Sequence, residues 1–468
     1  MGKIGSQVIS FVVTIILARL LAPEVFGVVA IVGIFTGFLQ VFVDSGLGSA
    51  LIQKEDVEDI DFSSVFYFNV VVCIILYFLL FIVAPLIADF YNDPMLTPLM
   101  RVASLGLVIT GLRSTQETYV TRHLLFKKHF LATTIAVIIS AAFGIVMAYG
   151  GCGAWSIVFQ QLVNTGLSTV LLWFMVEWRP KLLFSTVRLK SMLSFGWKVL
   201  GASLVDNIYS ELRSLFIGKV YSARELAFYD RGKQFPYMIV SGANSALKSV
   251  MFPVLSRSQN DDIQLKNTLR RGIRISLFFI SSLLAYLFAS AHSLVEVLMT
   301  AKWLPCVVIL QILCFDSLFW PVINAHYNAF MAVGKSDIYL RNTGITKIIG
   351  IILLVISLPF GVTWIAVSSV GAMFYQTLSA SIISRRIIRY GLREQLTDWI
   401  QGLLPAIIIV TSTFWLQWVS VSPLLILIMQ TIISIVAFVI VGRLSKSEAY
   451  GLFEDFILVR LRNIIKKR

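Results

Sequence analysis

Apolar stretches of about 20 residues follow one another along this chain with little between them, and that is the length an α-helix needs to cross a bilayer. The stretch from Phe62 to Ala88 contains one amide, Asn69. Hydrocarbon offers no partner to a backbone N–H or C=O, so such a stretch must satisfy them internally as a helix. Fourteen spans are predicted, over 3–21, 27–52, 62–91, 95–121, 129–150, 153–177, 192–219, 226–255, 272–299, 303–332, 338–359, 362–387, 401–419 and 421–442. Charged residues make up 14% of the chain, against roughly 25% in soluble proteins. The expected fold class is therefore an all-α integral membrane protein with 14 transmembrane helices and no soluble domain. The first stretch runs on to Leu21 and is followed at once by another, so it reads as a first membrane helix and not as a cleaved signal peptide.

The net charge of +14 would suggest nucleic acid in a soluble protein. Here most Lys and Arg fall in alternate gaps between spans, which predicts a cytoplasmic-membrane protein with both termini in the cytoplasm. Only Arg19, Lys219, Arg224, Arg231 and Lys302 fall outside on that topology. The charge is then topogenic, and nucleic acid is excluded as a partner. The acidic run Glu55, Asp56, Glu58, Asp59, Asp61 is expected to be a solvated inside turn. Residues 444–468 read as a basic amphipathic tail on the inner leaflet, with membrane lipids as partners: Leu452, Phe456 and Leu461 recur at helical spacing among Arg460, Arg462 and Lys466.

Chemistry is sparse. Cys73, Cys152, Cys306 and Cys314 stand singly, so neither a disulfide framework nor a zinc site is signalled. The four histidines lack H-E-x-x-H spacing, and no G-x-x-x-x-G-K-[ST] loop occurs. No catalytic residue, metal or cofactor is expected. Transport would draw on an H⁺ or Na⁺ gradient, or on the substrate's own.

Comparing the chain with itself at an offset near 200 aligns Asp44-Ser45 with Asn244-Ser245, Pro98 with Pro305 and Trp155 with Trp364. Six spans return a chain to the side it started from, so the repeat predicts two parallel, pseudo-symmetric six-helix lobes. The expected organisation is an N-lobe at 1–178, an amphipathic cytoplasmic linker at 179–191, a C-lobe at 192–390, two C-terminal helices at 391–443, and the tail.

Ionisable groups inside hydrocarbon are costly and mark interior or water-facing surfaces. In the seventh span Ser203, Asp206, Asn207, Ser210, Arg213 and Ser214 recur at three- and four-residue steps, with Glu211 beside them. The eighth span adds Lys233, Asn244 and Lys248, and the matching first-lobe helices carry Gln7, Ser10, Gln40 and Asp44. These groups predict a polar cleft with a net positive lining, to which Arg101 also contributes. The plainer alternative is that Asp206, Glu211 and Arg213 pair with one another while the lysines snorkel. Asp206, Glu211, Asp44 and Asp316 are candidates for ion coupling or ion pairs. Asp316 and His326, ten residues apart, admit either a proton pathway or an interhelical hydrogen bond.

Several segments carry a resemblance. The run Leu17-Ala18-Arg19-Leu20-Leu21-Ala22-Pro23-Glu24-Val25-Phe26-Gly27, then Asp44-Ser45-Gly46-Leu47-Gly48, Tyr229-Asp230-Arg231-Gly232-Lys233-Gln234-Phe235-Pro236, Lys302-Trp303-Leu304-Pro305 and Gly334-Lys335-Ser336-Asp337 resemble lipopolysaccharide and exopolysaccharide flippases of the Wzx/WzxC type. These belong to the multidrug/oligosaccharidyl-lipid/polysaccharide exporter superfamily. The resemblance implies alternating access by two six-helix lobes. It implies an undecaprenyl-diphosphate-linked oligosaccharide as substrate and other polysaccharide-assembly proteins as partners. Arg213, Lys248, Arg101 and Lys233 would then meet the diphosphate, while Gln7, Asn207 and Asn244 suit the sugar. Two other classes compete. An organic-cation antiporter of the same superfamily calls for a cleft of carboxylates and aromatics. A membrane polysaccharide polymerase, ligase or glycosyltransferase calls for a sizeable outward loop.

Overall fold

The computed structural model describes residues 2–44, 46–257, 261–445, 448–451 and 454, with the side chains of 2–4, 6, 7, 44, 195, 243–250 and 252 outside the description. The described residues are helical, without strands. They divide into two compact units, Met1–Ala227 and Phe228–Arg468.

The first unit contains α1 (Gly2–Leu20), α2 (Pro23–Asp44), α3 (Leu47–Gln53), α4 (Asp59–Tyr91), α5 (Leu96–Ala103), α6 (Leu105–Arg122), α7 (Phe126–Tyr149), α8 (Ala154–Met175), α9 (Thr186–Val220) and the first residues of α10 (Ala223–Arg257). The α4 helix shows why the chain needs lipid. Ile75, Leu79, Ile82 and Leu86 follow one another at helical spacing on an exposed face, Ile82 at 70%. Asn69, Cys73, Leu76 and Leu80 are buried on the other. A contiguous apolar stripe of that length facing outward is untenable in water.

The second unit holds the remainder of α10 with α11 (Asp262–Met299), α12 (Cys306–Leu318), α13 (Trp320–Ala332), α14 (Ser336–Ser357), α15 (Val362–Ile387), α16 (Leu392–Thr413) and α17 (Pro423–Leu444). The α16 helix lies closely along α11: a Cβ at Gly402 would fall 2.6 Å from the Leu277 Cβ, and the Ser281 hydroxyl donates to the Gly402 carbonyl at 2.9 Å. The Gln430 amide ties α17 to the carbonyl of Ala289 at 2.9 Å.

Each predicted span falls on a helix or a broken pair of helices. Among the described residues 11 are long and apolar enough to cross a membrane. The other three, α1, α9 and α10, are the first, seventh and eighth spans. In α9 and α10 the polar groups lower the hydropathy. Pairs such as α5 with α6 and α12 with α13 replace the single helices expected there.

The acidic run departs from the sequence reading. Asp61 is fully buried: its carboxylate lies 2.8 Å from Lys54 Nζ and 3.2 Å from an Arg188 guanidinium nitrogen. Glu58 also meets Arg188, at 3.0 Å, and Asp59 meets Lys181. Backbone N–H groups of Lys181 and Ser185 donate to the buried hydroxyls of Ser63 and Ser64 at 3.0 and 2.9 Å. The run is thus a clamp that holds the 179–185 segment to the start of α4. The rest of the expected linker is the first turn and a half of α9, which begins at Thr186 and not at 192. Most of the predicted tail, including Leu452, Phe456, Arg460, Leu461, Arg462 and Lys466, lies outside the described residues.

Cations expected only to set topology also have structural partners. On α11, Arg270 donates to Asp398 at 2.8 and 3.2 Å, and Arg274 lies 3.0 Å from the same carboxylate. Lys266 meets Glu394 at 2.7 Å. The buried Tyr390 hydroxyl donates to Asp398 at 2.7 Å. Burial, and then the Asp398 carboxylate, push the Tyr390 pKa above its ordinary range, which keeps that donor protonated.

Candidate functional site

The polar face predicted on the seventh span is present on α9. Asn207, Ser210, Arg213 and Ser214 recur within two turns on one side, and Arg213 is 7% exposed. Its guanidinium lies over the Tyr209 ring, 5.6 Å from the centroid, where the ring's negative face favours a cation. The Ser210 hydroxyl donates to the Asn207 carbonyl at 2.8 Å, so it is directed along its own helix. The side-chain oxygen of Asn207 is buried without a hydrogen-bond partner among the described residues. Asp206 is exposed at the edge of this face, and Glu211 is half-buried.

Other candidates are placed differently. Arg101 donates from Nε to the Phe81 carbonyl at 3.2 Å and stacks 4.2 Å from that ring's centroid. Ser10 is exposed on α1. In the second unit, Lys233 on α10 and Asp316 on α12 are half-buried. Gln7, Asp44, Asn244 and Lys248 belong to helices, but their side chains lie outside the described residues. His326 makes no interhelical hydrogen bond to a described residue: it is fully buried, and neither ring nitrogen has a hydrogen-bond partner among the described residues. Its ring lies near those of Phe330 and Tyr390.

Gln40 belongs to a feature that the sequence reading saw only in part. The first unit contains a polar trough of about 230 Å³ between three helical faces. The α2 face contributes Gly33, Thr36, Gly37 and Gln40, at steps of three, one and three residues. Gly106 and Thr110 of α6 stand opposite, and α8 supplies Gln161 and Thr165 one turn apart. Among the described residues no Lys, Arg, Asp or Glu lines it. Threonine and glutamine among apolar neighbours, repeated at helical spacing, were the available signal, but neutral groups stand out less from an apolar sequence than charges do.

Several of the segments that carry the resemblance are sites of close packing, whereas Gly334-Lys335-Ser336-Asp337 is exposed. A Cβ on Gly27 would fall 1.6 Å from the Ala223 carbonyl oxygen, so α2 and the first residue of α10 meet backbone to backbone. Arg224 reaches Glu24 there at 3.3 Å. In the second unit a Cβ on Gly232 would lie 3.0 Å from the Leu310 backbone nitrogen, and Phe228 meets the fully buried Trp303 edge-on.

A family model described as "Polysaccharide biosynthesis protein" matches residues 16–308. The chain belongs to the polysaccharide biosynthesis protein family. Among its relatives is the teichuronic acid biosynthesis protein TuaB of Bacillus subtilis (strain 168), 21% identical over 382 residues, which are 81% of this chain and 78% of TuaB. The lipopolysaccharide biosynthesis protein WzxC of Escherichia coli (strain K12) is 23% identical over 328 residues, 70% of this chain and 67% of WzxC. The fold is similar to that of the lipid II flippase MurJ in an inward closed conformation, with a TM-score of 0.75 at 16% identity, covering 97% of this chain and 98% of the other. For this family member that likeness establishes the fold: a multi-pass helical membrane protein folded like MurJ.

Proposed function

We propose that this chain moves an undecaprenyl-diphosphate-linked oligosaccharide, a repeat unit of an O-antigen, capsule or exopolysaccharide, from the inner to the outer leaflet of the bacterial cytoplasmic membrane by alternating access. Both termini face the cytoplasm in this reading, and the protein carries out no bond-breaking chemistry on its cargo. The supporting relatives are named for polysaccharide biosynthesis, and the fold neighbour for flipping a lipid-linked precursor.

The observation that carries the reading is Arg213, a cation 7% exposed on the polar face of α9. A diphosphate is suited to a guanidinium, which binds phosphate oxygens through parallel N–H donors in a medium where the attraction is stronger than in water. Lys248, Lys233 and Arg101 are the further cations of the substrate path, and Asp206, Glu211, Asp44 and Asp316 the carboxylates available to a coupling ion.

Complementation of a deletion strain tests this. Arg213→Ala combined with Lys248→Ala is expected to leave lipid-linked oligosaccharide accumulated on the inner leaflet at unchanged protein abundance. Full relief of accumulation by the double variant would remove these two residues from the diphosphate path. Resistance to cationic dyes conferred by the wild-type chain, without any effect on the glycolipid, would favour an organic-cation antiporter instead.

A further inference from the structure

Two glycines in the trough of the first unit have no packing reason to be there. Gly33 and Gly37 sit one turn apart inside α2, where glycine is the weakest helix former after proline. A Cβ built on either meets no atom within 4 Å. Gly27 on the same helix is different, since the Ala223 backbone fills the space beside it. The bare backbone at Gly33 and Gly37 therefore keeps space open in the trough.

We infer that this trough is a subsite for one neutral sugar ring of the cargo, an inference that rests on the flippase reading. Its lining matches a polyhydroxyl ligand and fits poorly with the alternatives. The Thr36 hydroxyl donates to the Val32 carbonyl at 3.0 Å, and that of Thr110 to the Gly106 carbonyl at 2.8 Å. Both oxygens therefore present acceptor lone pairs to the trough. The side chains of Gln161 and Thr165 make no hydrogen bond among the described residues. Their amide and hydroxyl groups supply donors and acceptors together, which sugar hydroxyls require. The two glycines allow the C–H face of a ring to approach the helix backbone.

Among the described residues the lining holds no cation to bind a phosphate and no carboxylate to bind an organic cation. Five amide or hydroxyl side chains make the trough a poor place for an acyl chain, whose burial would strip water from them without replacement. Its volume, about 230 Å³, is below the ~300–1,000 Å³ of sites that enclose drug-sized ligands. It suits a single ring of a longer glycan.

The test is a binding comparison with full-length protein in lipid nanodiscs. The probes are undecaprenyl diphosphate and the lipid-linked oligosaccharide extracted from the host strain lacking this chain. Wild type is expected to bind the glycosylated lipid about tenfold more tightly than the bare diphosphate lipid. Gly37→Leu puts a side chain into that space from a position where the Cβ itself meets nothing, and Gln161→Ala removes an amide from the lining. Both are expected to abolish the sugar-dependent gain while leaving undecaprenyl diphosphate affinity unchanged. Gly344→Leu, on α14 where a Cβ is equally unopposed, should behave as wild type. A sugar-dependent gain that survives both Gly37→Leu and Gln161→Ala overturns the subsite while the flippase reading stands. Failure of wild type to bind either lipid overturns the flippase reading, and the subsite with it.

Discussion

Arg270 and Asp398 join α11 to α16 through two hydrogen bonds of 2.8 and 3.2 Å, with the carboxylate 1% exposed. Arg274 and Tyr390 complete the shell around the same group. Removing one member of a buried, hydrogen-bonded charge set leaves the others without compensation. Asp398→Ala is therefore expected to destabilise the protein by about 3 kcal/mol, read as a lowered thermal midpoint in detergent. Asp398→Glu should recover part of the loss. An unchanged midpoint for Asp398→Ala would mean that α16 is held to α11 by its apolar contacts alone.

Arg122 acts as a staple at the end of α3. Its guanidinium donates to the carbonyls of Leu51, Lys54 and Glu55 at 2.7, 2.7 and 2.8 Å. Three acceptors arranged around one planar fork suit arginine and not the ammonium of lysine. Arg122→Lys should cost about 1–2 kcal/mol and increase proteolysis in the segment between α3 and α4. Equal cleavage rates for variant and wild type would contradict this.

Glycines on neighbouring helices should respond in opposite directions. Gly27→Ala places a methyl group against the Ala223 backbone and is expected to destabilise by roughly 1–3 kcal/mol. At Gly201, inside α9, a Cβ meets nothing within 4 Å. Gly201→Ala should leave stability unchanged or raise it by up to about 1 kcal/mol, the gain in helix propensity. Thermal midpoints of the two variants, measured side by side, check both signs.

His326 is buried with both ring nitrogens lacking hydrogen-bond partners among the described residues. Replacing such a group with an apolar one removes a desolvation cost. His326→Leu is expected to match or exceed wild-type stability and to retain transport. Loss of transport in a stably folded His326→Leu protein would place the imidazole on a proton pathway.

The helical membrane fold was legible because a lipid-spanning helix must be apolar over its full length, a signal that Phe62 to Ala88 carries without ambiguity. The breaks at Ser104 and Phe319 were not, because an apolar residue looks the same in one long helix as in two short ones. The polar face of α9 was legible because charges are scarce in hydrocarbon. By the same reasoning Asp61 passed for a solvated turn charge, and nothing set Arg122 or Asp398 apart from the other charges between spans. Their partners lie far away in sequence, and only the folded chain brings Arg188 to Asp61 or Arg270 to Asp398. The trough was hidden for a third reason: Gly33 and Gly37 are informative through what does not touch them, and sequence does not record empty space.

The measurement that bears most directly on the proposed function is the leaflet distribution of lipid-linked oligosaccharide in spheroplasts of the host, before and after depletion of this chain. If the chain is the flippase, the glycan becomes inaccessible to an external lectin or glycosidase as the protein is depleted, and the total amount of glycolipid rises. Undiminished outward exposure of the glycan after complete depletion would contradict it.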